Sequence, residues 1–124
     1  MATGRAAPRP ADDAELLARA RELVARGWCR RGIAQDREGR YVEPWSDRAC
    51  RWSPLGALLK VWYEDPVGKA RAFEAAYLAL ALATGGRLED WNAARCRTEQ
   101  HVLNAFSRAR EYLPAARRHL RSKP

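Results

Sequence analysis

The sequence predicts a mainly α fold, a compact bundle of about four helices with a small β-hairpin inserted after the first helix. Two observations predict it. Apolar residues recur with a period near 3.6 in four segments, as in helices that bury one face. The segment between the first two helices loses this period and contains a turn signal. The 124 residues suit one domain, whose core draws on 5 Trp, 4 Tyr and 2 Phe residues.

Composition divides the chain into three regions. Residues 1–10 are rich in Pro, Arg and Ala and are expected to form a disordered leader. Residues 11–113 are predicted to form a single helical domain, and residues 114–124 a basic C-terminal helix or tail. The 3 cysteines are odd in number and form no CxxC pair, which favours reduced thiols. With no signal peptide and no membrane span recognisable, a cytoplasmic location is expected.

The first helix is predicted over residues 11–27. Asp12 suits the N-cap position, and Glu15, three residues later, suits its capping-box partner. Gly27 suits the left-handed position that often follows a helix C-terminus. The apolar stripe that this helix is expected to bury consists of Leu16, Leu17, Ala20, Leu23 and Val24.

Residues 28–45 are predicted to form the inserted hairpin. Asp36 and Gly39, at the first and fourth positions of a turn, favour a type I turn. Because a two-stranded hairpin is only marginally stable alone, we expect it to lie on the helices. The residues predicted to pair are Ile33 with Tyr41 and Val42, and those predicted to anchor the hairpin are Trp28 and Trp45.

The second helix is predicted to start with Ser46 or Asp47 as its cap and to have a break or first-turn position at Pro54. Gly56 lacks a side chain and would therefore permit close approach of a neighbouring backbone. The residues predicted to share its apolar face are Leu55, Leu58, Leu59 and Trp62.

The third helix is predicted to begin at Asp65-Pro66, as cap and first residue, and to stop at Gly85-Gly86. Its apolar residues cover nearly all sides, which favours a central place in the bundle. Its main stripe consists of Val67, Ala70, Phe73, Tyr77 and Leu80, widened by Leu78 and Leu82.

Residues 91–106 are predicted to be a helix-loop-helix joint. A short helical turn is expected over residues 88–92, and Thr98 suits the N-cap of a fourth helix. Pro114 is predicted to interrupt that helix, because proline removes a backbone donor and clashes with the preceding turn. The apolar stripe of the fourth helix consists of Val102, Leu103, Phe106, Ala109 and Leu113.

The same joint contains a candidate reactive or functional loop. Cys96 lies between two arginines and just before a helix cap, a setting that favours thiolate. Zinc held by Cys96 and His101 together with Cys29 or Cys50 is an alternative, but structural zinc sites usually use compact ligand pairs. No catalytic signature accompanies the thiol, so a small enzyme with a reactive Cys96 is the less favoured alternative, and no cofactor or metal is expected. The candidate residues of this reactive or functional loop are Trp91, Asn92, Cys96, Arg97, Thr98 and His101. Alternatively, the loop is only a structural joint between two helices.

A net charge of +8 raises the possibility of nucleic-acid binding. Residues 66–124 carry +6 of this excess, and it is concentrated near the C-terminus. A GC-rich genome also produces proteins rich in arginine and alanine, without any selection for nucleic-acid binding. No recognition helix can be assigned, so only nonspecific contact is considered. The candidate binding residues are Arg108, Arg117, Arg118, Arg121 and Lys123.

Several short motifs resemble a family of small bacterial and phage proteins classed only as a domain of unknown function. In chain order they are Gly27-Trp28, Asp36-x-x-Gly39, Trp52-x-x-x-Gly56-Ala57-Leu58, Trp91-Asn92 and Arg97-Thr98-x-x-x-Val102, and they span about two thirds of the chain. A Trp-Asn-Asp tripeptide and a Trp-Cys pair are common in that family, whereas this chain has Ala93 and Ser53 at those positions. The resemblance implies a fold, and no catalytic or metal role that depends on those two side chains.

The sequence as a whole favours a small cytoplasmic protein that is not an enzyme and acts as a binding or accessory module for a protein partner. The alternative function is a nonspecific nucleic-acid-associated protein that uses the basic C-terminal segment. Such electrostatic binding would fall steeply between about 50 and 200 mM salt, which distinguishes it from a protein interface.

Overall fold

The computed structural model describes residues 12–64 and 70–122. Within these residues the chain forms five helices and a two-stranded antiparallel sheet. They are α1 (Asp12–Arg26), β1 (Ala34–Gln35), β2 (Arg51–Trp52), α2 (Pro54–Glu64), α3 (Ala70–Thr84), α4 (Leu88–Ala93) and α5 (Glu99–Arg121). The predicted helical bundle with a small hairpin after the first helix is confirmed. The predictions for residues 1–10, the Asp65-Pro66 cap, Val67 and Lys123 lie outside the described residues.

The core lies where α3, α5 and α1 pack together, with α2 covering α1. The predicted stripe of α1 is buried, as is that of α5 except for Leu103, which is half-buried. The stripe predicted for α3 is confirmed in part: Leu80 is buried and Phe73 and Tyr77 are half-buried against the core, whereas Ala70 is exposed. Small side chains let α3 approach its neighbours closely, so the larger ones lie at its margins. Its buried residues are Ala75, Ala76, Ala79, Leu80 and Ala83.

The 23-residue helix α5 runs through Pro114 without a break. The predicted interruption is therefore wrong. Leu113, Ala116 and Leu120 are all buried, so core packing holds the helix on both sides of the proline and offsets the missing backbone donor. None of the described helices, α5 included, is both long and apolar enough to cross a membrane.

Helix α2 begins at Pro54, and Ser53 is its cap, since the Ser53 hydroxyl accepts a hydrogen bond from the Gly56 N–H (3.0 Å). The caps predicted at Ser46 and Asp47 are wrong, because both residues lie in a separate turn. The predicted apolar face is also rotated: Leu58 is buried, whereas Leu55, Leu59 and Trp62 are half-buried. The buried residues are Pro54, Gly56, Ala57, Leu58 and Val61.

The inserted segment is held by more pairings than the predicted hairpin. β1 pairs with β2, with Ala34 opposite Trp52, which adds a strand that was not predicted. The predicted region still lies alongside β1: Tyr41 forms a bridge to Gln35, and the Val42 N–H donates to the Ala34 carbonyl (3.1 Å). The turn is confirmed, since the N–H of Gly39 donates to the carbonyl of Asp36 (3.0 Å).

Two glycines let the inserted segment approach the helices. A Cβ at Gly56 would overlap the Ile33 carbonyl oxygen, so the predicted close approach is confirmed. A Cβ at Gly27 would overlap the Cys50 carbonyl oxygen in the same way. Gly27 does not have the positive φ predicted for it. The predicted stop of α3 is confirmed, because Gly85 follows that helix with φ +84°.

Asp12 is the first described residue of α1 and lies within the helix, so it is not the predicted N-cap. The next residue, Asp13, is buried. Its carboxylate reaches α5, where Arg117 donates to both of its oxygens. This ion pair joins the start of α1 to the end of α5.

Candidate functional site

The six-residue helix α4 is tied to the segment after α1 by one buried amide. Asn92 is only 2% exposed. Its Oδ1 accepts a hydrogen bond from Trp28 Nε1 (2.7 Å), and its Nδ2 donates to the carbonyls of Cys29 (3.1 Å) and Arg30 (3.0 Å). Both polar atoms of the amide are therefore used inside the protein. We call this region, residues 28–30 with residues 91–101, the α4 joint.

Two arginines lie over two tryptophans in the α4 joint. The guanidinium of Arg97 lies 3.8 Å from the centre of the Trp91 ring, and its Nε donates to the Trp91 carbonyl (2.8 Å). The guanidinium of Arg30 lies 5.1 Å from the centre of the Trp28 ring and donates to the Ala94 carbonyl. Each arginine combines a cation–π contact with a backbone hydrogen bond, which fixes its position.

The predicted N-cap of the last helix is confirmed. The Thr98 hydroxyl accepts from the His101 N–H (3.1 Å), and the Thr98 N–H donates to His101 Nδ1 (3.1 Å). His101 therefore takes the place that glutamate or glutamine usually holds in a capping box. Because Nδ1 accepts a hydrogen bond, only Nε2 is left for another contact.

The three cysteines occupy different environments. Cys29 is buried, Cys50 is half-buried and Cys96 is exposed, and all three are free thiols. Burial raises the pKa of Cys29 to about 11, and the charge of Arg51 opposes this only in part. Cys29 is therefore a neutral thiol at neutral pH and a poor nucleophile. Across residues 12–64 and 70–122, no three His, Cys, Asp or Glu side chains are arranged to hold a metal ion.

The C-terminal arginines do not form one patch. Arg117 donates to Asp13 from Nε and Nη2 at 2.8 and 2.7 Å, and this hydrogen bonding raises the pKa of Arg117. Arg108 donates from Nη2 to the Ala83 carbonyl (2.7 Å) at the end of α3. Arg118 and Arg121 are exposed. Of the four candidates that the structure describes, Arg108 therefore bonds to α3 and Arg117 bonds to α1.

A surface that the sequence did not predict lies along α2. Trp45, from the inserted segment, stacks on Tyr63 with ring centres 4.8 Å apart and planes 20° apart. Gly56 and Tyr63 lie two helical turns apart on one side of α2, about 10 Å along its axis. Ile33 packs against Gly56 at the other end of this side.

We call this surface the aromatic face. Its residues all have large apolar side chains that remain exposed, to 38% for Ile33, 64% for Tyr41, 38% for Trp45 and 53% for Tyr63. Two further exposed large side chains, Leu82 and Tyr112, lie on α3 and α5. Trp45 does anchor the inserted segment on a helix, as predicted. Nothing in the sequence indicates that its side chain would remain exposed.

A cleft of about 320 Å³ adjoins the aromatic face and α4. We call it the α4 cleft. It is open to solvent, and Ile33 belongs both to its lining and to the aromatic face. Its lining consists of Arg30, Arg31, Gly32, Ile33, Ser53, Pro54, Leu55, Leu88, Glu89, Asp90, Asn92 and Ala93.

These features define a small helical domain with an inserted strand segment, whose short fourth helix is fixed by Trp–Asn and Arg–Trp contacts. The chain belongs to the Family of unknown function (DUF6197), whose model matches residues 8–112. The resemblance to a family of unknown function is thereby confirmed. No curated protein and no solved structure matches the chain significantly.

Proposed function

We propose that this protein is a cytoplasmic binding module without catalytic activity, and that it engages a protein partner through the aromatic face. The exposed stack of Trp45 on Tyr63 is the observation that carries this proposal. Exposed aromatic side chains contribute most of the binding energy at many protein interfaces, because each buries a large area on association.

The aromatic side chains of this face are held in place before any partner binds. Trp45 and Tyr63 restrain each other by stacking. Tyr41 is restrained by Gly32, since its ring atoms Cδ1 and Cε1 lie 2.7 Å from the point that a Cβ of Gly32 would occupy. A rigid aromatic side chain loses little conformational entropy on binding, which favours affinity.

Charge around the stack favours a protein over a nucleic acid. Trp45 is flanked at two residues' distance by Glu43 and Asp47, and both carboxylates are exposed. A surface that stacks bases needs basic side chains that follow the phosphate backbone. Carboxylates two residues before and two residues after the tryptophan in the chain disfavour phosphates, whereas the mixed charge that they form with the exposed Arg48 is common at the rim of a protein interface.

The buried Cys29 thiol and the His101 imidazole of the α4 joint support a role without catalysis. The Cys29 thiol is neutral, and His101 Nδ1 is used by the helix cap. A catalytic cysteine needs a nearby base or an electropositive site that lowers its pKa, and burial acts on Cys29 in the opposite direction. Three free thiols also favour the reducing cytoplasm.

The test is comparative capture of partners from cells that naturally produce the protein. The double variant Trp45→Ala/Tyr63→Ala is compared with wild type and with Tyr112→Ala, which removes an aromatic side chain of similar exposure from α5. We expect a protein that wild type and Tyr112→Ala retain and the double variant loses, with all three folded by circular dichroism.

Two outcomes would overturn the proposal. A partner retained equally by the double variant would place the interface outside the aromatic face. Recovery of nucleic acid that is released between about 50 and 200 mM salt, and that is lost when Arg118 and Arg121 are replaced, would favour the alternative function.

A further inference from the structure

The α4 cleft has an apolar floor. Ile33, Pro54 and Leu55 come from the inserted segment and the start of α2, and Leu88 and Ala93 come from α4. The volume of about 320 Å³ is at the lower end of the range for ligand pockets. It suits one aliphatic side chain with the adjoining backbone of an extended segment.

The cleft is lined by charges of both signs, which come from two different elements. Arg30 and Arg31 line it from the segment after α1, and Arg31 is exposed. Glu89 and Asp90 line it from α4, and both are exposed. Oε1 of Glu89 accepts a long, exposed hydrogen bond from the Tyr77 hydroxyl (3.5 Å), which leaves Oε2 for a basic side chain. The carboxylate of Asp90 lies 3.3 Å from the guanidinium of Arg87, an exposed pair that competing charges can replace at little cost.

We propose that the α4 cleft binds an extended segment of the protein partner in which one aliphatic side chain lies between an acidic and a basic side chain. The acidic side chain faces Arg31, the basic one faces Glu89, and the aliphatic one enters the apolar floor. This proposal rests on the proposed function, because its occupant is part of a protein partner. Continuity supports it, since Ile33 lines the cleft and also belongs to the aromatic face.

Charge complementarity makes the cleft selective. A segment with acidic side chains on both sides of the aliphatic one would meet attraction at Arg31 and repulsion at Glu89, and a doubly basic segment would meet the reverse. A segment that carries one charge of each sign, in the correct order along the chain, is attracted at both walls. The reversed order is disfavoured, because it places like charges together.

The test uses short synthetic peptides with blocked ends and full-length protein labelled with ¹⁵N for NMR titration. The probe carries Asp, Leu and Lys at alternate positions separated by Gly. A second probe has Asp and Lys exchanged, and two controls carry Asp or Lys on both sides. A fifth peptide has Gly in place of Leu. One of the two mixed-charge probes is expected to shift amide signals of residues 30–33 and 88–93 in a saturable way.

We expect the favoured probe to bind about tenfold more tightly than the Leu-free peptide, and severalfold more tightly than either control with a single sign of charge. Arg31→Glu should lower its affinity severalfold and raise that of the doubly basic peptide. That exchange of preference cannot arise from misfolding. Arg118→Glu, the same charge reversal on the exposed side of α5, is the matched control and should leave all affinities unchanged.

The proposal is overturned if neither mixed-charge probe gives a saturable shift at millimolar concentration, or if Arg31→Glu changes no preference. The two proposals can also fail separately. Partner capture that needs Trp45 and Tyr63 but persists in the Arg31→Glu/Glu89→Lys variant would keep the aromatic face as the interface and remove the cleft from it. If the peptides bind but no partner is captured through the aromatic face, the cleft remains a binding site and the aromatic face is not the interface.

Discussion

At the α4 joint, Trp28 and Trp91 each lie under an arginine that also bonds to backbone. On the aromatic face, Trp45 lies on Tyr63, and both rings remain exposed. Both regions are built around tryptophan side chains. They differ in whether the polar atoms already have partners within the chain.

Because of this difference, we expect the α4 joint to determine the stability of the fold and the aromatic face to determine binding. At the joint, the buried Asn92 satisfies one indole N–H and two carbonyls, so its loss leaves polar groups buried without partners. On the aromatic face the side chains contribute little to the core and expose apolar area that a partner can bury. Substitutions in the first region should therefore destabilise the protein, and substitutions in the second should leave its stability almost unchanged but prevent binding.

The largest effect is expected for Asn92→Ala. It removes three buried hydrogen bonds and leaves their partners unsatisfied, which should lower the free energy of unfolding by about 3 kcal/mol. Urea denaturation of the variant and wild type measures this change. Asn104→Ala is the control, because Asn104 is exposed on α5, where it bonds only to Gln100. A loss at Asn92 as small as that of the control would contradict the structural role of the joint.

The buried thiol of the joint should make stability depend on alkaline pH. The pKa of Cys29 is about 11 in the folded protein, against an ordinary value of 9.0. Since its ionised form is disfavoured in the folded state, this stabilisation is fully present below pH 9 and is lost as the pH rises through 11. The expected loss is on the order of 2 kcal/mol. Denaturation at several pH values should show a shallower alkaline decline for Cys29→Ala, and equal declines would refute the prediction.

Two neighbouring arginines extend the comparison to α5. Arg117→Met leaves the Asp13 carboxylate buried without its partner, whereas Arg118→Met removes an exposed charge. We expect a loss of about 1.5 kcal/mol for Arg117→Met, less than for a fully buried pair because the side chain of Arg117 is 38% exposed. Arg118→Met should cost almost nothing.

A double-mutant cycle with Asp13→Asn measures the coupling between Asp13 and Arg117. The loss caused by Arg117→Met should be smaller when Asp13 is already uncharged. Equal losses in both backgrounds would mean that the ion pair does not couple the two ends of the bundle.

The smallest effect on stability is expected for Tyr63→Ala. It removes the stack on Trp45, which is partly exposed, so the free energy of unfolding should fall by only about 0.5 kcal/mol. Thermal denaturation followed by circular dichroism measures it. A loss comparable to that of Asn92→Ala would make Tyr63 part of the core and would weaken the proposed interface.

Local patterns predicted much of the fold. The apolar stripes of α1 and α5, the Thr98 cap and the turn closed by Gly39 each depend on residues close in sequence. Predictions that depended on distant residues were less accurate. The partner of β1 is a strand 16 or more residues away, and nothing local favours it over Tyr41 and Val42. Pro114 is tolerated because of core contacts that its neighbours make with other helices.

The candidate sites were predictable only as residues of suitable chemistry. Trp91, Asn92 and Thr98 stand out in the sequence, and the structure gives each an internal contact. The sequence could not indicate that Trp28 would supply the hydrogen bond to Asn92, because 64 residues separate them. Nor could it identify the aromatic face, since exposure of Trp45 and Tyr63 depends on how α2 is rotated against the inserted segment.

Gly27 and Gly56 are positions where any side chain would overlap a backbone carbonyl. Both glycines, like Asn92, belong to the short motifs on which the resemblance to the family was based, and their role in this chain is to hold the scaffold together. Trp45 and Tyr63 lie outside them. We therefore expect relatives to retain the two glycines while their counterparts of Trp45 and Tyr63 diverge, so that one inherited scaffold presents a different recognition surface in each lineage.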